Sequence, residues 1–158
     1  MLSRDALERI DKAIAKYPAD QKPSAVMAAL TIAQGEQGWL SSETVDFVAE
    51  YLGIPPVGVY EVATFYAMYD LEPVGKHKLC ICTNLPCALS GATEAARHLQ
   101  KKLAIGWNET TRDGRFTLKQ GECFGACGDA PVLLHNNKEL LIEMSPEKLD
   151  RLIAELSK

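Results

Sequence analysis

The sequence predicts an α+β protein in two parts, a small helical bundle over residues 1–72 followed by an α/β domain over residues 73–158. Three observations carry this. Apolar residues recur at spacings of three and four up to about residue 70, whereas from His77 onward they alternate. Pro73 and Gly75 punctuate the change of period. All five cysteines lie between positions 80 and 127, so any thiol chemistry is confined to the second part.

In the first part, Leu7, Ile10, Ile14 and Tyr17 form one helical stripe behind a Ser3 cap, and Pro18 ends it. A second helix is expected from about Pro23, with Val26, Ala29, Leu30 and Ala33 inside and a stop at Gly35. A third runs from Ser41 or Ser42 through Val45, Val48 and Leu52 to Gly53, a residue suited to a left-handed C-terminal position. A fourth begins at Pro55-Pro56 and carries Val59, Val62 and Ala63.

In the second part, His77 to Cys82 reads as a strand with Leu79 and Ile81 on one face and Cys80 and Cys82 on the other. An alanine-rich helix is expected from Ser90 to Leu103. Strands follow at Arg115–Gln120 and Val132–His135, and Asn136-Asn137 suits a two-residue hairpin into Glu139–Ile142. Ser145-Pro146 opens a last helix bearing Leu149, Leu152, Ile153 and Leu156. A βαβ unit joined to a ββα unit is the order of a thioredoxin-like domain.

With 47% hydrophobic and 24% charged residues the chain is of ordinary globular composition. A formal charge of -4 gives no electrostatic reason to expect nucleic acid as a partner. Nor is there a run of about eighteen apolar residues to enter a bilayer, so direct membrane insertion is not expected. The start, Met1-Leu2-Ser3-Arg4-Asp5, has neither a signal-peptide core nor an Arg-rich presequence, which points to a bacterial cytoplasmic location.

An odd number of cysteines fits a disulfide framework poorly. Cys82 and Cys87 form C-x4-C, Cys123 and Cys127 form C-x3-C, and each pair follows an expected strand. Two loops that converge at one sheet edge can each offer two thiolates, which is the stoichiometry of a 2Fe-2S cluster. Gly121, Gly125 and Gly128 give the second loop the freedom to turn backbone N–H groups toward sulfur. Structural zinc takes four thiolates as well, but typically with C-x2-C on at least one side, and a thioredoxin-type dithiol also needs C-x2-C. Neither pair has that spacing.

Cys80 belongs to neither pair and is expected as a small buried hydrophobe in the sheet's packing layer. His77, His98 and His135 are scattered and read as surface or satisfied structural residues; Trp39 and Trp107 read as packing anchors, and Glu61 and Asp70 as solvated charges. No Gly-rich phosphate loop occurs, and no catalytic residue is expected.

The segments Gly53-Ile54-Pro55-Pro56, Tyr60-Glu61-Val62-Ala63-Thr64-Phe65-Tyr66, Pro73-Val74-Gly75-Lys76-His77, Cys82-Thr83-Asn84-Leu85-Pro86-Cys87 and Gly121-Glu122-Cys123-Phe124-Gly125-Ala126-Cys127 together resemble the small 2Fe-2S subunit of NADH:quinone oxidoreductase, respiratory complex I. The resemblance spans essentially the whole chain. It implies a helical region before a thioredoxin-like domain, and one 2Fe-2S cluster held by Cys82, Cys87, Cys123 and Cys127. It further implies a flavoprotein partner that binds FMN and NADH, electron exchange between cluster and flavin, and a place at the cytoplasmic side of the inner membrane through the complex. The isolated chain is then expected not to oxidise NADH. Related subunits serve NAD-reducing hydrogenases and NAD-dependent formate dehydrogenases. A further alternative makes the chain mainly a structural brace for the flavoprotein.

Overall fold

The computed structural model describes residues 2–158 and divides into two compact units between Pro73 and Val74. The first unit contains four α-helices, α1 (Arg4–Ile14), α2 (Val26–Gln37), α3 (Ser42–Leu52) and α4 (Pro56–Phe65), with a 3-10 turn at Lys22–Ala25 leading into α2. Ser3 and Ser41 cap α1 and α3, each side chain accepting a hydrogen bond from the N–H three residues on. Gly53 ends α3 at φ 68°, a left-handed conformation that costs glycine no Cβ clash.

The core of this unit is built from the expected stripes, with Ile10, Leu30, Val45, Val48, Leu52 and Val59 all buried, and Leu40, between α2 and α3, joins it. Each such side chain contributes about 1.5–3 kcal/mol relative to leaving it in water. Two boundaries differ from expectation. Tyr17 falls beyond the end of α1 and is exposed, and α2 runs through Gly35 to stop at Gly38, whose φ of 85° makes it the true cap. Asp70 is buried, not solvated: its backbone N–H donates to Gln34 Oε1 at 2.7 Å and its carbonyl accepts from Leu40 at 2.7 Å.

The second unit is a five-stranded sheet with β1 (His77–Cys82), β2 (Glu109–Thr110), β3 (Phe116–Gly121), β4 (Leu133–His135) and β5 (Glu139–Leu141) in the order β2-β3-β1-β4-β5. β1 and β3 are parallel and all other pairings antiparallel. Between β1 and β3 run α5 (Leu85–Leu89) and α6 (Ala92–Leu103), and α7 (Pro146–Leu156) follows β5. This is the βαβ plus ββα order of a thioredoxin-like fold. The expected helix at 90–103 is thus preceded by a short helix that the sequence pattern did not suggest, and β2 is likewise an addition.

Register decides the faces. Leu79 pairs with Leu118 and His135, and Ile81 with Leu133, so these side chains share one face. Both α6 and α7 pack there through Ala95, Ala96, Leu99, Leu149 and Ile153. Asn136 and Asn137 join β4 to β5 at φ 51° and 56°, the left-handed pair a tight hairpin needs.

Candidate metal centre

β1 and β3 lie side by side, parallel, and end together with Cys82 opposite Gly121. The loops that follow them therefore leave the sheet at the same end, which is how two distant cysteine pairs meet. Cys82 is the last residue of β1, and Cys87 sits on α5, whose start follows from Asn84 at the cap position and Pro86 in the first turn. Cys123 lies in the loop after β3, and Cys127 opens a 3-10 turn that ends at Asp129.

Three hydrogen bonds tie the two loops together. Thr83 N–H donates to the Gly121 carbonyl at 3.3 Å, Gln120 Nε2 to Thr83 Oγ1 at 2.8 Å, and Asn84 Nδ2 to Glu122 Oε2 at 3.1 Å. A small apolar cluster of Cys82, Cys87, Ala92 and Val132, with Phe124, Ala126 and Ala130 against it, fills the space beneath. Val132 connects this cluster to the sheet, its carbonyl accepting from Cys82 N–H at 3.1 Å. The sequence gives no sign of the parts played by Thr83, Gln120, Glu122 and Val132, because cross-loop partners have no local signal.

The two pairs differ in environment. Cys82 and Cys87 are each 1% exposed, whereas Cys123 and Cys127 are at the surface. None of the five cysteines is in a disulfide. Burial, reinforced by a hydrogen bond shared with Cys82, pushes the Cys87 thiol up to about 11, and the Val132 backbone group partly opposes this. Cys127 is raised as well, first by its hydrogen bond with Cys123 and then by burial. Both effects have a shared component: two thiols close together disfavour a second negative charge. Cys87 and Cys127 thus hold their protons at neutral pH, and a metal that binds them displaces those protons.

Backbone help is present where the glycines suggested it. Gly125 has φ 75°, and its N–H donates to Cys123 Sγ at 3.3 Å. Gly121 serves packing instead, since a Cβ there would meet Phe124 Cζ at 2.5 Å and Cys80 Sγ at 3.0 Å. Cys80 departs from expectation. It is half-buried and faces away from the helix-covered core, on the same face as Cys82. The pleat decides this, because residues 80 and 82 must share a face.

His77 begins β1, at the opposite end of the strand from Cys82, while His98 lies on α6 and His135 ends β4. His77 Nδ1 lies 3.2 Å from His135 Nε2, so two of the three do meet, while His98 pairs with Asp150 at 2.9 Å. Trp107 packs on the sheet core as expected. Among the described residues no three His, Cys, Asp or Glu side chains converge to hold one metal ion, and the thiols stand as two pairs.

Two thiol pairs thus follow adjacent parallel strands of a thioredoxin-like sheet. The sequence matches the family described as Thioredoxin-like [2Fe-2S] ferredoxin over residues 10–157. It is 43% identical over 141 residues to the E-type subunit of NADH-quinone oxidoreductase from Rickettsia typhi, spanning 89% of this chain and 82% of that protein. An E-type subunit of NADH-quinone oxidoreductase from Rhizobium meliloti is 46% identical over 126 residues, 80% of this chain and 74% of that one. The chain therefore belongs to the thioredoxin-like [2Fe-2S] ferredoxin family, in the branch of the E-type subunits of NADH-quinone oxidoreductase.

Among solved structures, an NAD+-reducing [NiFe]-hydrogenase in the air-oxidized state superposes with a TM-score of 0.75 at 20% identity, covering 89% of this chain and 24% of that one. At that identity the likeness is one of fold. No helix among the described residues is long and apolar enough to cross a membrane.

Proposed function

We propose that Cys82, Cys87, Cys123 and Cys127 hold one 2Fe-2S cluster, and that the chain is the electron-transferring small subunit of an NADH-quinone oxidoreductase. The observation that carries this is the donor set: four free thiols, two from each of two loops tied together at one end of the sheet. That set fits a group whose two irons each take two thiolates. The spacing of neither loop favours zinc. When bound, such a cluster takes up and gives up one electron at a time.

The chain's own residues have distinct tasks. Val132, Ala92 and Phe124 keep water from Cys82 and Cys87, and a drier site strengthens electrostatic effects on the sulfurs. The Gly125 N–H stabilises charge on Cys123. Cys123 and Cys127 stay at the surface, and Leu85 and Leu89 of α5, on either side of Cys87 in the sequence, are exposed too, so a partner's redox group approaches from that side.

The partner in this reading is a flavoprotein subunit that binds FMN and NADH, at the cytoplasmic face of the membrane. The helical unit carries no chemistry of its own yet exposes large apolar side chains on α4, Val57 at 63% and Phe65 at 80%. Docking on that partner is its role. The identity to NADH-quinone oxidoreductase subunits favours that enzyme over the hydrogenase, whose likeness is limited to fold.

Iron and acid-labile sulfide analysis of the purified chain tests the cluster. About two of each per chain, with a one-electron paramagnetic signal on reduction, is expected. Stoichiometric zinc without iron would overturn it.

A further inference from the structure

The helical unit is acidic as a whole, with Arg4, Arg9, Lys12, Lys16 and Lys22 as its basic residues against a clear excess of Asp and Glu. Three of those five cations border one open groove of about 460 Å³: Arg9, Lys12 and Lys16, from α1 and the turn that ends it. Met27 and Ile32 of α2 and Met68 form its apolar side, and no carboxylate lines it. Arg9 shares an exposed ion pair with Asp5 at 3.8 Å, while among the described residues Lys12 and Lys16 have no carboxylate within ion-pair distance.

The floor is held in place. The Met27 carbonyl accepts from both Thr31 Oγ1 at 2.8 Å and Tyr69 Oη at 2.9 Å, which fixes the α2 turn beneath the groove. The backbone floor of the groove is thus preorganised, so binding does not have to order it. Methionine side chains adapt their shape to whatever apolar group arrives.

We propose that this groove docks an acidic segment with apolar side chains, contributed by another subunit of the same complex. The proposal rests on the docking role given above and assigns it a surface. Exposed ion pairs contribute little affinity one by one. The apolar contacts with Met27, Ile32 and Met68 supply the affinity, and the three cations supply orientation, association rate and rejection of basic partners. Against the acidic remainder of the unit, an acidic segment is attracted at this groove and repelled elsewhere, which fixes where it lands.

The test uses the assembled complex, with a photocrosslinking benzoylphenylalanine replacing Met27 in one variant and Val57 of α4 in another. Irradiation is expected to link position 27 to a segment of another subunit that carries Asp or Glu. Linkage from position 57 alone would overturn the groove while leaving the docking role standing. Linkage from neither would overturn the docking role with it.

A charge-reversed chain, Lys12→Glu with Lys16→Glu, is expected to keep wild-type iron content yet bind the remaining subunits at least about tenfold more weakly at low salt. The Lys12→Gln, Lys16→Gln chain should fall between. Equal affinity of all three chains would overturn the proposal. So would saturable micromolar binding of inorganic phosphate to the free wild-type chain that the charge reversal abolishes, since the groove would then be a small-anion site.

Discussion

Cys80 and Cys82 show how much two residues of strand decide. They share a face, but a strand rises about 3.3 Å per residue, so they stand roughly 6.6 Å apart along β1. Cys82 reaches the end of the sheet, and Cys80 stops beside Gly121. Cys80→Ala is expected to leave iron content and the reduced paramagnetic spectrum unchanged, at a stability loss of about 1 kcal/mol or less for a half-buried thiol. Cys82→Ala should abolish the cluster; equal iron loss in both variants, each still folded, would show the ligand register to be wrong. Gly121→Ala probes the packing under the second loop. Its Cβ would collide with Phe124 and press on Cys80 and the Ile81 carbonyl at 3.1 Å, and of these Phe124 can move most easily. The expected cost is about 1–3 kcal/mol, with faster iron loss on dilution because Phe124 neighbours Cys123. Wild-type iron retention measured by visible absorbance would exclude this role for Gly121.

At the scale of elements, the caps and punctuation are the most legible features. Ser41 and Gly53 bracket α3 as their chemistry predicts, and Ser145 with Pro146 opens α7, where the serine side chain accepts from Lys148 N–H. The short helix α5 is not legible in the pattern, although Asn84 and Pro86 carry its signal, because five residues offer no periodicity. The meeting of His77 with His135 is not legible either, since β1 and β4 pair antiparallel across more than fifty residues. It has a consequence for stability. Burial, and then the nearby charges of His135, Lys76 and Arg115, hold His77 below its ordinary value of 6.5, while Glu139 lies 3.5 Å from the far side of His135. The unfolded chain therefore binds a proton at His77 more readily than the folded one. The stability that a neutral His77 contributes is full above pH 6.5 and is lost as pH falls from there through the depressed folded value. Urea midpoints followed by circular dichroism should fall between about pH 7.5 and pH 5.5, and His77→Gln should flatten that slope. An identical slope in the variant would remove His77 as the source.

For the whole molecule, each unit has its own hydrophobic core, centred on Leu30 and Val48 in the first and on Leu79 and Leu118 in the second. Residues 74–158 expressed alone are expected to fold and retain iron, but to bind the other subunits at least about tenfold more weakly than the full chain, as judged by co-purification and calorimetry. Unchanged affinity would remove docking from the helical unit. The full chain by itself should show no micromolar NADH binding by calorimetry, since it has no Gly-rich phosphate loop. By itself the sequence determined the two-part organisation, the helix stripes, the hairpin at Asn136-Asn137 and the four thiols, because periodicity, turn chemistry and residue type are local properties. The tertiary structure alone decided that Cys82 and Cys87 are buried while Cys123 and Cys127 are exposed, that Thr83, Gln120, Asn84 and Glu122 lace the loops together, and that Lys12 and Lys16 border a groove. Those outcomes depend on which strands become neighbours and in what register, and pairing across dozens of residues is set by the packing of the whole sheet and bundle, which no single segment encodes.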